Sequence, residues 1–211
     1  MRPMRTRVKY CGIRNVRDAQ TAVELGVDAI GLNFYAPSVR AVGTAEAAAI
    51  AESIPALVTR VALFLDATAA QVRSVLQHVD VDLLQFHGEE SPDFCNQFGL
   101  PYIKSVARTE HGKLQEFADR YAQARALLLD SNLSGAPGGS GETFDWRQPL
   151  HCTKPIVLAG GLNADNIGEA IRVLRPYGVD VCSGIEAPRG EKNRALMENF
   201  MREVRRVDTT G

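Results

Sequence analysis

Eight short runs of branched and apolar residues recur along the chain about 20 to 30 residues apart, and between them apolar residues take helical spacing. The runs are VKYCGI from Val8, AIGLNF from Ala29, RVALFL from Arg60, LLQFHG from Leu83, YIKSVA from Tyr102, ALLLDS from Ala126, IVLAGG from Ile156 and DVCSGI from Asp180. Helical spacing shows in Val16, Ala19 and Val23, then in Val72, Val75 and Leu76, and later in Ile167, Ala170, Ile171 and Leu174. Near-continuous apolar strands are buried on both faces, the habit of parallel strands covered by helices. Eight consecutive strand-helix units in 211 residues predict one domain, residues 1–211, folded as a closed (β/α)8 TIM barrel with parallel strands. A doubly wound open sheet is the alternative. It needs fewer strands and often carries a GxGxxG turn after the first, where this chain reads CGIRN.

Local signals agree with the alternation. Asn15, Thr44, Thr68, Ser91 and Asn163 suit helix N-caps, with Gln71 three residues after Thr68 and Pro92 straight after Ser91. Gly26, Gly99 and Gly178 fall where helices should stop.

A formal net charge of -1, with no block of like charge, excludes a general attraction to nucleic acid or an anionic membrane, so an anion must be recognised locally. The basic start MRPMRTR lacks the apolar segment of a signal peptide, and no run reaches the roughly 18 apolar residues of a membrane span, so a cytoplasmic protein is expected. Cys11, Cys95, Cys152 and Cys182 lie far apart, without a CxxC pair or a histidine at metal-ligand spacing; free thiols and no metal site are expected.

In a barrel the C-terminal ends of all strands converge, and polar groups there read as site residues. These ends supply Cys11, Asn33, Phe34, His87, Asp130, Gly160, Gly161 and the stretch from Asp180 to Gly184, joined by Arg40 from the loop after the second strand. Paired glycines let backbone amides approach an anion closely, so Gly160, Gly161, Ser183 and Gly184 are candidate phosphate donors and the expected partner is a phosphorylated small molecule. Asp130 is the only carboxylate of its apolar run; beside apolar walls such a group is suited to general acid work. Cys11, across the mouth, is a thiol whose thiolate fraction nearby positive charge would raise. An acid opposed to a base is an isomerase arrangement. The glycine-rich segment Ser131 to Thr143 follows the sixth strand directly and would lie at the same end, as a functional loop.

Taken in order, VKYCGIRN, DAIGLNFYAPSVRAV, LLQFHGEE, LLLDS, GGSGETFDW, PIVLAGGLNADNI and VDVCSGIEAPRGEKN resemble the phosphoribosylanthranilate isomerase family of tryptophan biosynthesis over nearly the whole chain. The resemblance implies an Amadori rearrangement of N-(5-phosphoribosyl)anthranilate to 1-(o-carboxyphenylamino)-1-deoxyribulose 5-phosphate without cofactor or metal. It also implies Cys11 as general base, Asp130 as general acid, Arg40 at the anthranilate carboxylate, and Gly160, Gly161, Ser183 and Gly184 at the phosphate. Asp180 matches a substrate-hydroxyl contact, and His87 matches a strand-four histidine that is either structural or catalytic. The chain departs from the family pattern at Val39, where proline is usual, and at Tyr10, Ser140 and Cys182, where isoleucine, threonine and serine are common.

Other readings stay open. A pentose-phosphate epimerase would need metal ligands at several strand ends, where His87 is the sole histidine; an indole-glycerol-phosphate synthase would need a lysine-centred acid, for which Lys9 and Lys104 are the candidates. A non-catalytic sugar-phosphate sensor would not need both Cys11 and Asp130. The assembly is a monomer or a homodimer, because no exposed apolar stripe decides between them.

Overall fold

A computed structural model describes residues 5–106, 112–130 and 151–210. Its centre is a closed barrel of eight parallel strands in sequence order: β1 (Arg7–Cys11), β2 (Ala29–Asn33), β3 (Thr59–Phe64), β4 (Leu83–Phe86), β5 (Tyr102–Val106), β6 (Ala126–Leu129), β7 (Ile156–Leu158) and β8 (Gly178–Val181). Among the described residues, a helix follows every strand but β6: α1 (Val16–Glu24), α2 (Thr44–Glu52), α3 (Ala69–His78), α4 (Pro92–Asn96), α5 (Leu114–Arg120), α6 (Ile167–Leu174) and α7 (Arg194–Thr210). The segment from Ser131 to Thr143, expected to be a functional loop, lies outside the described residues.

Side chains alternate across each strand, so every second residue faces the barrel axis. Val8, Tyr10, Ile30, Leu32, Phe64, Phe86, Val179 and Val181 face outward into the core beneath the helices. Ile103, Ala126, Leu128 and Ala159 fill the interior, flanked by Leu83 and Val157. The same inward rows turn polar at Lys9, Cys11, Gln85, Ser105, Asp130 and Asp180, all buried. Polar side chains therefore gather on the inner face toward the strand ends, and the outer face is mostly apolar, with Lys104 as a buried exception.

Asn15 accepts the Asp18 amide, Thr68 and Gln71 form a reciprocal capping box, and Ser91 caps α4 ahead of Pro92. Two expected caps shift. Gly43, in extended backbone, is the N-cap of α2, and Thr44 is its first helical residue. Asn166 precedes α6, while Asn163 serves the turn before it, its Oδ1 accepting the Asp165 and Asn166 amides at 2.9 and 3.2 Å. Gly26 and Gly99 take the left-handed conformation at helix ends, with φ of 80° and 73°. Gly178 does not, because Arg175 ends α6 with φ of 45° and Gly178 opens β8. A Cβ at Gly178 would stand 3.1 Å from the Arg7 carbonyl oxygen, so close strand pairing explains that glycine.

The last helix closes the ring. Tyr10 donates its hydroxyl to the Met197 carbonyl at 2.6 Å and meets Phe200 edge-on, and Asp208 accepts both the amide and the hydroxyl of Thr6 at 2.9 and 2.7 Å.

Candidate active site

The strand ends open into a cleft lined by residues from the ends of most of the strands. Of the residues singled out above, Cys11, Arg40, His87, Asp130, Gly160, Gly161, Asp180 and Ser183 line it. Gly184 sits just behind this wall.

Cys11 ends β1 with Lys9 two residues before it on the same inward row. Opposite stands Gly31, where a Cβ would lie 2.7 Å from Cys11 Sγ and 2.9 Å from Lys9 Nζ; the missing side chain makes room for thiol and ammonium side by side. Contact with the Cys182 thiol, followed by the charges of Lys9 and Lys192, outweighs burial and holds Cys11 well below the ordinary thiol range. Cys182 is driven the other way, by Cys11 and by burial. Lys9 Nζ donates to Asp180 Oδ1 at 2.9 Å. Burial works against the Lys9 charge, but Asp180 and Cys11 prevail and raise its pKa. Burial pushes Asp180 up to about 7, with Lys9 opposing and the negative charges of Cys11 and Asp130 adding to the rise.

Asp130 follows β6 directly and is buried. His87 Nε2 lies 3.2 Å from its Oδ2, and Gln85 Nε2 lies 3.3 Å from His87 Nδ1. With the Gln85 amide donating, Nδ1 accepts and Nε2 carries the hydrogen that faces Asp130. His87 thus orients the carboxyl, and Gln85 orients His87. The Gln85 Oε1 atom is buried and, among the described residues, without a partner.

Arg40 is buried and grips Glu186 through Nε and Nη2 at 2.7 and 2.8 Å. Lys192 Nζ reaches the same carboxylate at 2.8 Å and the Cys182 carbonyl at 3.1 Å. Burial would raise the Glu186 pKa, yet hydrogen bonds from Arg40 and Lys192 and the Gly190 amide hold it at about 2. The loop after β2 is in this way clasped to the loop after β8.

Gly160 and Gly161 adopt φ of 84° and 63°, conformations that ordinary residues rarely take. A Cβ at Gly184 would fall 1.9 Å from the Leu162 carbonyl oxygen, so only glycine lets the turns after β7 and β8 touch. Among the described residues no backbone acceptor takes the amides of Gly160, Gly161, Ser183 or Gly184. Backbone amides in such glycine turns suit an anion.

A family model described as N-(5'phosphoribosyl)anthranilate (PRA) isomerase matches residues 8–203. The chain belongs to this family. It is 48% identical over 206 residues to the N-(5'-phosphoribosyl)anthranilate isomerase of Nitrosococcus oceani, covering 97% of this chain and 100% of that one. The crystal structure of the phosphoribosyl anthranilate isomerase from Thermus thermophilus is similar with a TM-score of 0.86 at 32% identity, over 96% and 100% of the two chains. A solved phosphoribosyl anthranilate isomerase in complex with reduced 1-(o-carboxyphenylamino)-1-deoxyribulose 5-phosphate has a TM-score of 0.78 at 31% identity, over 95% and 98%.

Within this PRA isomerase barrel, the sequence reading passed over Gln85, Glu186 and Lys192 and kept Lys9 only as a candidate for another activity. The signal for Lys9 was period two: in VKYC the lysine shares its face with the cysteine. Lys104 fails the same test, sharing its face with Tyr102 and Val106. It is buried outside the barrel, bonded to the Gly88 carbonyl and 3.3 Å from Glu90 Oε2, and does not reach the cleft. Among the described residues no helix is long and apolar enough to cross a membrane.

Proposed function

We propose that this chain isomerises N-(5-phosphoribosyl)anthranilate to 1-(o-carboxyphenylamino)-1-deoxyribulose 5-phosphate, with Asp130 as general acid and Cys11 as general base. The observation that carries the assignment of roles is the thiol of Cys11, held low by Cys182 and two lysines, on the same cleft as the His87-oriented carboxyl of Asp130. Asp130 gives its proton to the furanose ring oxygen as the anthranilate nitrogen lone pair forms the C=N bond and the C1'–O bond breaks. The iminium acidifies C2', and the Cys11 thiolate takes that proton. The C–H electron pair then forms the enolamine, which tautomerises to the aminoketone. The amides of Gly160, Gly161, Ser183 and Gly184 hold the phosphate, and Asp180 meets a sugar hydroxyl. Arg40 faces the anthranilate carboxylate while Glu186 fixes its guanidinium plane.

Closure of β8 onto β1 supports reading residues 1–211 as one domain. Free thiols and the absence of a membrane-crossing helix among the described residues support a cytoplasmic protein, working as monomer or homodimer. Positioned proton transfer is worth about 10²- to 10⁴-fold in rate. Cys11→Ala and Asp130→Asn should therefore lose about a hundredfold or more in kcat yet still bind a product analogue. The fluorescence of the consumed anthranilate adduct reads this, and an unchanged kcat in either variant removes that residue from its role.

A further inference from the structure

Catalysis as derived above uses one thiol, but the mouth of the barrel holds two. The β1–β8 register pairs Lys9 with Asp180 and Tyr10 with Val181, the residues just before Cys11 and Cys182; the two thiols are in hydrogen-bond contact, and both line the cleft. A Cβ built on Gly12, which follows Cys11, would stand 3.1 Å from Cys182 Sγ, so little separates the end of β1 from that sulfur. Lateral neighbours on paired strands have Cα atoms about 5 Å apart, within the span that a disulfide bridges. Lys192 Nζ lies 3.6 Å from Cys182 Sγ and Lys9 neighbours Cys11, so ammonium groups flank the pair and favour a thiolate. The other two cysteines stand apart: Cys95 is buried in α4, and Cys152 precedes β7.

We propose that Cys11 and Cys182 form a modification site, which an oxidant of the peroxide class closes into a disulfide that reversibly removes the base from the active site. The Cys11 thiolate attacks the O–O bond, takes one oxygen as sulfenic acid and releases hydroxide, which a proton converts to water. The Cys182 sulfur then attacks the Cys11 sulfur; the S–S bond forms, the S–O bond breaks, and the departing hydroxyl leaves as water with the Cys182 proton. Two thiols are oxidised by two electrons and one peroxide is reduced to two waters. The loss of activity rests on Cys11 being the base; the bond itself does not.

The test oxidises the reduced, desalted full chain with hydrogen peroxide and follows intact mass, peptide map and isomerase activity together. A mass loss of two hydrogens, a cross-linked peptide pair carrying Cys11 and Cys182, and an activity loss of about tenfold or more that dithiothreitol reverses are expected. Cys152→Ser should still form the cross-link, whereas Cys182→Ser should instead gain oxygen on Cys11. Alkylation of both thiols after oxidation, a cross-link through Cys95 or Cys152, or oxygen on Cys11 without a cross-link would overturn the site. A cross-linking protein that is inactive even when reduced would refute the isomerase reading and leave the site standing; an active protein that never cross-links would do the reverse.

Discussion

At the scale of single residues, the thiol of Cys11 owes its acidity to company rather than to exposure. Its base-side neighbour Lys9 is itself buried, held by Asp180, and its charge lies against the sulfur. Lys9→Met should move the acid limb of kcat/KM upward by about one pH unit, because a thiolate that loses its cation forms at higher pH. The pH dependence of Cys11 alkylation by iodoacetamide checks this apart from turnover; an unmoved midpoint would show that Cys182 and Lys192 suffice. Asp180, pushed up to about 7 by burial, adds an ionisation near neutral pH, so Asp180→Asn should remove that ionisation from the profile. Cys11 and Asp130 were legible in the sequence because each stands where an apolar strand ends. Lys9 was not, since a lysine inside a strand reads as an exposed edge until its parity with the cysteine is counted. Glu186 and Lys192 were harder still: charged loop residues are usually solvated, and only folding back onto Arg40 buries them.

Among elements, the contact between the turns after β7 and β8 carries most of the inferred anion chemistry. Gly184→Ala would drive a methyl group into the Leu162 carbonyl, and backbone cannot yield as a flexible side chain can. The turns should part, with a stability loss of about 1 to 3 kcal/mol and a KM increase of about tenfold or more, and inorganic phosphate should compete less well. Wild-type KM in that variant would place the phosphate elsewhere. The strand order was readable from eight repeats of one pattern. Helix ends were less so: Thr44 and Asn163 are good capping residues by type, but Gly43 and Asn166 take those positions, since chain direction is decided by packing onto the barrel. Arg175 shows the same limit, taking a left-handed turn that the sequence assigned to a glycine three residues on.

Taken whole, the molecule should show an acid-sensitive stability that traces to the clasp between its second and eighth loops. Glu186 is held at about 2 against an ordinary value of 4.5, so its contribution is present above pH 4.5 and lost as pH falls through 2. A depression of that size is worth about 3 kcal/mol, of which about two thirds should be gone by pH 3. In urea unfolding at pH 6 and pH 3, the native chain should lose about 2 kcal/mol more on acidification than Glu186→Gln, a comparison in which the Asp180 contribution cancels; equal changes in the two proteins would assign acid unfolding to other groups. Asp180 has the opposite sign: its raised pKa favours the fold below pH 3.8, and that benefit is lost as pH rises through about 7. Far from the clasp, Thr6 and Asp208 join the two ends of the folded chain, 202 residues apart in sequence, at the rim opposite the cleft. A short linker could therefore splice those ends, new termini could be cut in a loop elsewhere, and any fused cargo would hang beneath the molecule with substrate access untouched.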